Sequence, residues 1–192
     1  MGGSMTSIAE KKSDLRTSAF AARKLAHAAG LDVAACKNLS RFIARQPGVA
    51  TVAGYMPIRT EVDPLPVMAA LVNLGYQVCV PVVQGEGQPL LFQNWTPDTP
   101  LIEGPFGAAV PKRGAFLTPD LLITPLVAFD AQGFRLGYGG GYYDRSFELL
   151  RSAQKTIGVG FAYAAQAVDV VPTEPTDQKL NAVVTEREIL AF

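Results

Sequence analysis

The stretch Leu121-Leu122-Ile123-Thr124-Pro125-Leu126-Val127-Ala128-Phe129, followed closely by Gly133-Phe134-Arg135-Leu136-Gly137-Tyr138-Gly139-Gly140-Gly141-Tyr142-Tyr143-Asp144-Arg145, decides the fold. The first run has the length and apolar content of a buried strand, and Ser146-Phe147-Glu148-Leu149-Leu150-Arg151 after the second reads as a helix. The order is strand, glycine loop, helix. Four glycines within five residues leave the backbone free to take positive φ and to turn several N–H groups toward one anion. The helix that follows adds the positive end of its dipole. Arg135 and Arg145 flank the loop with fixed charge, and Asp144 offers a hard oxygen of the kind magnesium accepts beside a nucleotide. Two familiar glycine loops are excluded by letter. Tyr142 stands where a dinucleotide fingerprint needs its last glycine, and the chain has no Gly-Lys pair for a Walker loop. A glycine run alone serves a tight turn as readily as an anion, but two arginines, two tyrosines and an aspartate in one window favour the anion.

Working outward, strands are expected at residues 49–55, 77–83, 156–161 and 182–185, and helices at 8–29, 32–46 and 63–74. Asp32 and Asp63-Pro64 read as helix starts, and residues 164–168 as a short helix. Residues 89–95 read as a hairpin partner of the second strand, with Trp95 packing. Residues 96–114, rich in proline and glycine, read as a long irregular crossing around Pro105-Phe106-Gly107, of the length that usually serves function or a lid. Helices alternating with strands predict an α/β fold: a single-domain three-layer αβα sandwich with a mostly parallel central sheet.

In the first helix Lys12, Arg16 and Arg23 share a stripe, which by spacing alone reads as a solvated basic face. Glu61 falls in the loop after the first strand. Ligands of open α/β sheets bind at that edge, although a surface carboxylate fits the spacing equally well.

The 192 residues, 48% of them apolar, suit one domain, taken as residues 5–192, with Met1-Gly2-Gly3-Ser4 read as a cloning scar. Seventeen basic and seventeen acidic side chains cancel, so no general attraction to nucleic acid or to an anionic membrane is expected. The lack of a long apolar run or a signal pattern predicts a cytoplasmic protein. Cys36 and Cys79 are isolated and read as buried thiols, and His27, the one histidine, reads as solvated. One histidine rules out a two-histidine zinc motif and leaves little material for a Ser/His/Asp triad.

Taken in order, Lys12 and Arg16, Glu61, the Phe106-Gly107 element, residues 130–144 and the closing segment 172–186 make the chain resemble the 5-formyltetrahydrofolate cyclo-ligase family, also called 5,10-methenyltetrahydrofolate synthetase. The resemblance runs from Lys12 almost to the end and is most specific over residues 135–144. It implies a ligase of one-carbon metabolism with a three-layer α/β fold. Such an enzyme uses ATP and Mg2+ to convert 5-formyltetrahydrofolate to 5,10-methenyltetrahydrofolate, with release of ADP and phosphate. Its partners would be the small molecules ATP and reduced folate, with a monomer expected.

By the same resemblance, ATP is bound by Lys12, Arg16, Arg135, Leu136, Gly137, Tyr138, Gly139, Gly140, Gly141, Tyr142 and Tyr143, Asp144 and Asp177 hold the metal, and Glu61 and Tyr142 contact folate. Met56 is expected beside them on the folate, and Arg135, Tyr142 and Arg145 are expected to be catalytic. The chain departs from the family pattern at Val110, Thr176 and Asn181, where acidic residues or histidine are common, and at Tyr138 and Gly140, where some relatives are basic. The implied chemistry transfers a phosphoryl group to the formyl oxygen, giving an imidate phosphate that N10 attacks. Such a reaction asks for alignment and charge neutralisation more than for acid and base. A non-catalytic nucleotide- or folate-binding paralogue and a sugar-phosphate isomerase-like enzyme are the alternative readings.

Overall fold

The computed structural model of the chain describes residues 7–192, so the leading Met1-Gly2-Gly3-Ser4 lies outside the described residues. Helix α1 (Ile8–Ala28) opens on a capping box: the Ser7 hydroxyl accepts from the Glu10 N–H at 3.2 Å, and the Glu10 carboxylate accepts from the Ser7 N–H at 2.7 Å. Then follow α2 (Asp32–Ile43), β1 (Thr51–Ala53), α3 (Leu65–Asn73), β2 (Gln77–Val82) and β3 (Leu91–Asn94). A short ribbon, β4 (Leu101–Glu103) and β5 (Ala109–Pro111), precedes β6 (Leu121–Pro125), β7 (Ala128–Phe129) and β8 (Arg135–Leu136). The chain ends with α4 (Tyr142–Ala153), β9 (Ile157–Phe161), β10 (Ala182–Val184) and β11 (Ile189–Ala191).

Seven strands form one sheet in the order β11-β10-β9-β6-β1-β2-β3. The inner pairings are parallel, and β3 and β11 close the two edges antiparallel. Side chains alternate across it as strand geometry requires. Val52, Val78, Val80, Leu121 and Ile123 pack with α2 and α3, whereas Ala53, Cys79, Leu122 and Val183 pack with Phe147 and Leu150 of α4. Covered on both faces, the inner strands are mostly apolar, which is why residues 121–125 carry no polar alternation. The α/β class, the single domain and the largely parallel sheet match the expectation. Burying each Leu, Val or Phe of these two cores contributes about 1.5–3 kcal/mol.

Gly158 explains how closely α4 lies on the sheet, since a Cβ there would fall 2.7 Å from the Phe147 ring. A third cluster joins Ala19 of α1 to Val127, Ala128, Leu136 and Val171, and so sets α1 beside the glycine loop. No helix among the described residues is long and apolar enough to cross a membrane.

The structure corrects the sequence reading in several places. The apolar run 121–129 is two strands rather than one. The Leu126 and Val127 carbonyls are taken by the Gln166 side-chain amide (2.8 and 3.1 Å), so the chain leaves the sheet there and Ala128–Phe129 pair instead with Arg135–Leu136. Helix α4 begins at Tyr142, four residues before Ser146, which brings the glycines directly against its first turn. Residues 96–114 are not an irregular crossing, because β4 and β5 pair antiparallel around the 3-10 turn Pro105–Gly107. Asp32 does not cap α2: its Oδ1 accepts from the Asp63 N–H and the Tyr163 hydroxyl. Asp63 does accept from the Leu65 N–H at 2.9 Å, as its place before a helix predicts. Arg23 is 1% exposed, so the supposed solvated stripe turns inward at its last member.

Candidate active site

Strands β1 and β6 are neighbours, yet the chain leaves β1 toward β2 and β3 on one side and leaves β6 toward β9, β10 and β11 on the other. Loops that diverge in this way open a crevice at the carboxyl edge of a sheet. A cavity of about 740 Å³ lies there. Its walls come from Tyr55, Met56, Ile58 and Glu61 after β1, from the glycine loop, and from the tip of the β4–β5 ribbon.

The glycine loop has the geometry its composition predicts. Gly139 (φ 104°) and Gly141 (φ 65°) take backbone angles that side chains resist, and Gly141 leads straight into α4. Two arginines hold its carbonyls from outside: Arg16 Nε donates to the Gly137 carbonyl at 2.8 Å, and the Arg145 guanidinium donates to that of Gly140. The N–H groups of Gly137, Tyr138, Gly139, Gly140 and Gly141 meet no acceptor among the described residues. An open row of amides at a helix N-terminus is an anion site.

Charge is arranged around that row. Arg135, nearly buried, donates from Nη1 to the Gln178 carbonyl at 2.7 Å and from Nη2 to Asp144 Oδ1 at 2.9 Å. Asp144 Oδ1 also accepts from the Gln178 N–H at 2.9 Å, which leaves Oδ2 without a partner among the described residues. Lys12 Nζ sits 2.8 Å from both Glu174 and Asp177. Burial pulls the Lys12 ammonium down, but the hydrogen bonds and charges of Asp177 and Glu174 outweigh it and hold the group above its ordinary range. No group of three His, Cys, Asp or Glu among the described residues is placed to hold a metal. The set still fits magnesium, which takes one or two carboxylates and completes its shell with phosphate and water oxygens.

The opposite wall is built around Glu61, which is 5% exposed. Its Oε2 accepts from the Ile58 N–H at 2.8 Å, and its Oε1 accepts from the Tyr138 hydroxyl at 2.9 Å. Burial pushes Glu61 up, against the hydrogen bonds from Ile58 and Tyr138 and the charges of Arg23 and Arg59. Burial likewise pushes the Tyr138 phenol up to about 12, aided by the charge of Glu61. Tyr143 also lines the cavity. Burial and then the charge of Glu61 hold its phenol far above the usual range, and it serves as a neutral hydroxyl. Phe106, at the tip of the β4–β5 ribbon with φ 62°, is 71% exposed, and its ring centroid stands 6.0 Å from that of Tyr142.

The sequence pattern described as the 5-formyltetrahydrofolate cyclo-ligase family matches residues 8–186. The chain belongs to that family. The 5-formyltetrahydrofolate cyclo-ligase of Escherichia coli strain K12 is 37% identical over 145 residues, which cover 72% of this chain and 79% of that protein. The solution structure of Aquifex aeolicus 5,10-methenyltetrahydrofolate synthetase superposes with a TM-score of 0.76 at 28% identity, covering 94% of this chain and 92% of that one. The 5,10-methenyltetrahydrofolate synthetase of Mycoplasma pneumoniae, at 23% identity, shares the fold with a TM-score of 0.72 over 91% of this chain and 98% of its own. The 5-formyltetrahydrofolate cyclo-ligase family is one of ligases of folate one-carbon metabolism, and the chain is an enzyme of that class.

Every residue expected in the site lines this same cavity. Lys12, Arg16, Met56 and Glu61 meet there with all of residues 135–145 and with Asp177, although they are far apart in sequence. Of the departures from the cyclo-ligase pattern, Val110, Tyr138, Gly140 and Thr176 line the cavity. Asn181 does not, because its Oδ1 accepts from the Gly158 N–H at 2.8 Å and from Arg151 at 3.1 Å, where it ties β9 to α4. Sequence reasoning missed Arg59 and Glu174 in the wall and Arg23 behind it. A signal for Arg23 existed, since it continues the helical stripe of Lys12 and Arg16.

Proposed function

We propose that this enzyme uses ATP and Mg2+ to convert 5-formyltetrahydrofolate to 5,10-methenyltetrahydrofolate, releasing ADP and phosphate through an imidate phosphate on the formyl oxygen. One observation carries the reading. Five successive loop amides without an acceptor among the described residues share a cavity with a buried glutamate whose two oxygens are held from behind.

The loop amides of residues 137–141, with Arg135, Arg145, Lys12 and Arg16 at their rim, bind and neutralise a triphosphate. Asp144, through the Oδ2 that Arg135 leaves open, and Asp177 hold the metal. Lys12 exchanges its two carboxylate partners for phosphate oxygens. Glu61 accepts hydrogen bonds from the donor edge of the pterin, Met56 supplies apolar contact, and Tyr142 stands between the two ligands. When bound, MgATP supplies a γ-phosphoryl group to the formyl oxygen, after which N10 closes the ring and gives up its proton, and phosphate departs with the C–O electrons. Arg135 and Arg145 steady the equatorial oxygens during that transfer, which needs no acid or base from the protein.

The experiment is to follow the absorbance of the methenyl product with purified protein and 5-formyltetrahydrofolate. Product is expected only when ATP and Mg2+ are both present. Turnover without ATP, or binding of both ligands without turnover, overturns the reading.

A further inference from the structure

Arg23 carries its charge into the interior and meets one carboxylate there. The residue is 1% exposed, Nε donates to Thr60 Oγ1 at 3.1 Å, Nη1 donates to the Leu126 carbonyl at 3.4 Å, and Nη2 donates to the Tyr138 hydroxyl at 2.9 Å. Nη1 lies 4.0 Å from Glu61 Oε1. A buried guanidinium is costly, and an apolar side chain would pack α1 as well. Its charge is therefore to be understood through Glu61. The Tyr138 hydroxyl links the two, accepting from Arg23 and donating to Glu61 Oε1.

We propose that Arg23, acting through the Tyr138 hydroxyl, is a positioning residue that fixes the Glu61 carboxylate as the hydrogen-bond acceptor for the reduced folate. This deepens the proposed function and rests on its reading of Glu61. Each carboxylate oxygen has one protein donor, Ile58 N–H on Oε2 and Tyr138 on Oε1, which leaves a lone pair on each for a ligand. Tyr138 also belongs to the glycine loop, so the wall that offers amides to phosphate and the wall that holds Glu61 share this residue, the first through its backbone and the second through its hydroxyl.

The pH behaviour follows from the groups around Glu61. Arg23 faces it from α1, Arg59 from its own loop, Tyr138 from the glycine loop, Tyr143 from α4 and Tyr55 from the end of β1. Burial raises the carboxyl, whereas the Tyr138 hydrogen bond and the Arg23 charge oppose that rise. Removing either lets the carboxyl protonate at a higher pH, so folate binding fails earlier on acidification.

The test is steady-state kinetics against pH for the whole chain and for Tyr138→Phe, Arg23→Met, Arg23→Lys and Glu61→Gln. Tyr138→Phe, which keeps the loop amides, is expected to raise the folate KM about tenfold while the MgATP KM stays within about twofold. The acid limb of kcat/KM for folate moves to higher pH in Tyr138→Phe and Arg23→Met, and Arg23→Lys returns it toward the parent. If Arg23→Met fails to fold, Tyr138→Phe decides alone. A raised folate KM in Glu61→Gln with unmoved acid limbs in the other variants rejects the linkage and leaves the proposed function standing. An unchanged folate KM in Glu61→Gln overturns the role of Glu61, and the inference falls with it.

Discussion

Arg135 Nη2 and Asp144 Oδ1 lie 2.9 Å apart, joining the start of β8 to the first turn of α4 across the whole glycine loop. The pair fixes the width of the loop and turns one carboxylate oxygen away from the arginine. Asp144→Asn keeps an acceptor for Arg135 and the Gln178 N–H but loses the charge a metal needs. It should cut Mg2+-dependent turnover by at least about a hundredfold with an unchanged melting temperature, measured by the product assay and by circular dichroism. Near-normal turnover would remove Asp144 from the metal site.

Lys12 is held by two carboxylates, which on the proposed function a nucleotide displaces. Glu174 is the more exposed of the two, and ion pairs so exposed are weak. Glu174→Gln should therefore lower the MgATP KM by about two- to fivefold, with kcat little changed. A raised KM would mean that Glu174 itself helps to bind the nucleotide or its metal.

Gly141 sits at φ 65°, and a Cβ there would fall 2.7 Å from Arg145 Nη1. Gly141→Ala combines backbone strain with displacement of the guanidinium that holds the Gly140 carbonyl. The expected result is a rise in the MgATP KM of about tenfold, with the folate KM less affected. Equilibrium nucleotide binding by calorimetry provides the check.

Phe147 is fully buried between α4 and the sheet, with the guanidinium carbons of Arg135 and Arg151 at 5.3 and 4.6 Å from its ring centre. Phe147→Ala should cost about 3–5 kcal/mol of folding stability in a denaturant titration. Because Arg135 rests on that ring, activity should fall even in conditions where the variant stays folded. Full activity in the folded variant would show that Arg135 keeps its place without the ring.

The parts legible in the sequence were those with local causes. Glycines 137, 139, 140 and 141 announced the loop, and the apolar runs at 77–82 and 121–125 announced buried strands. The break at Leu126 was hidden because Gln166, which takes the carbonyls there, lies 40 residues downstream. The β4–β5 ribbon was missed because three-residue strands exposed along one side show no alternation. Arg23 was read as solvated for a similar reason. Thr60, Tyr138 and Leu126 reach it from 37, 115 and 103 residues away, and α1 itself shows only the stripe that Arg23 shares with Lys12 and Arg16, not the partners that bury it. Arg135, Asp144, Arg145 and Glu61 were singled out by their own chemistry, the resemblance added the rest of the candidate residues, and their convergence on one cavity follows from the crossover between β1 and β6.

The β4–β5 ribbon pairs within itself and adds no strand to the seven-stranded sheet. Replacing Phe106 at its tip should therefore carry little folding penalty, while it alters one wall of the cavity. The rim of the cavity can thus change in size and shape while the sheet that carries the rest of the site keeps its stability.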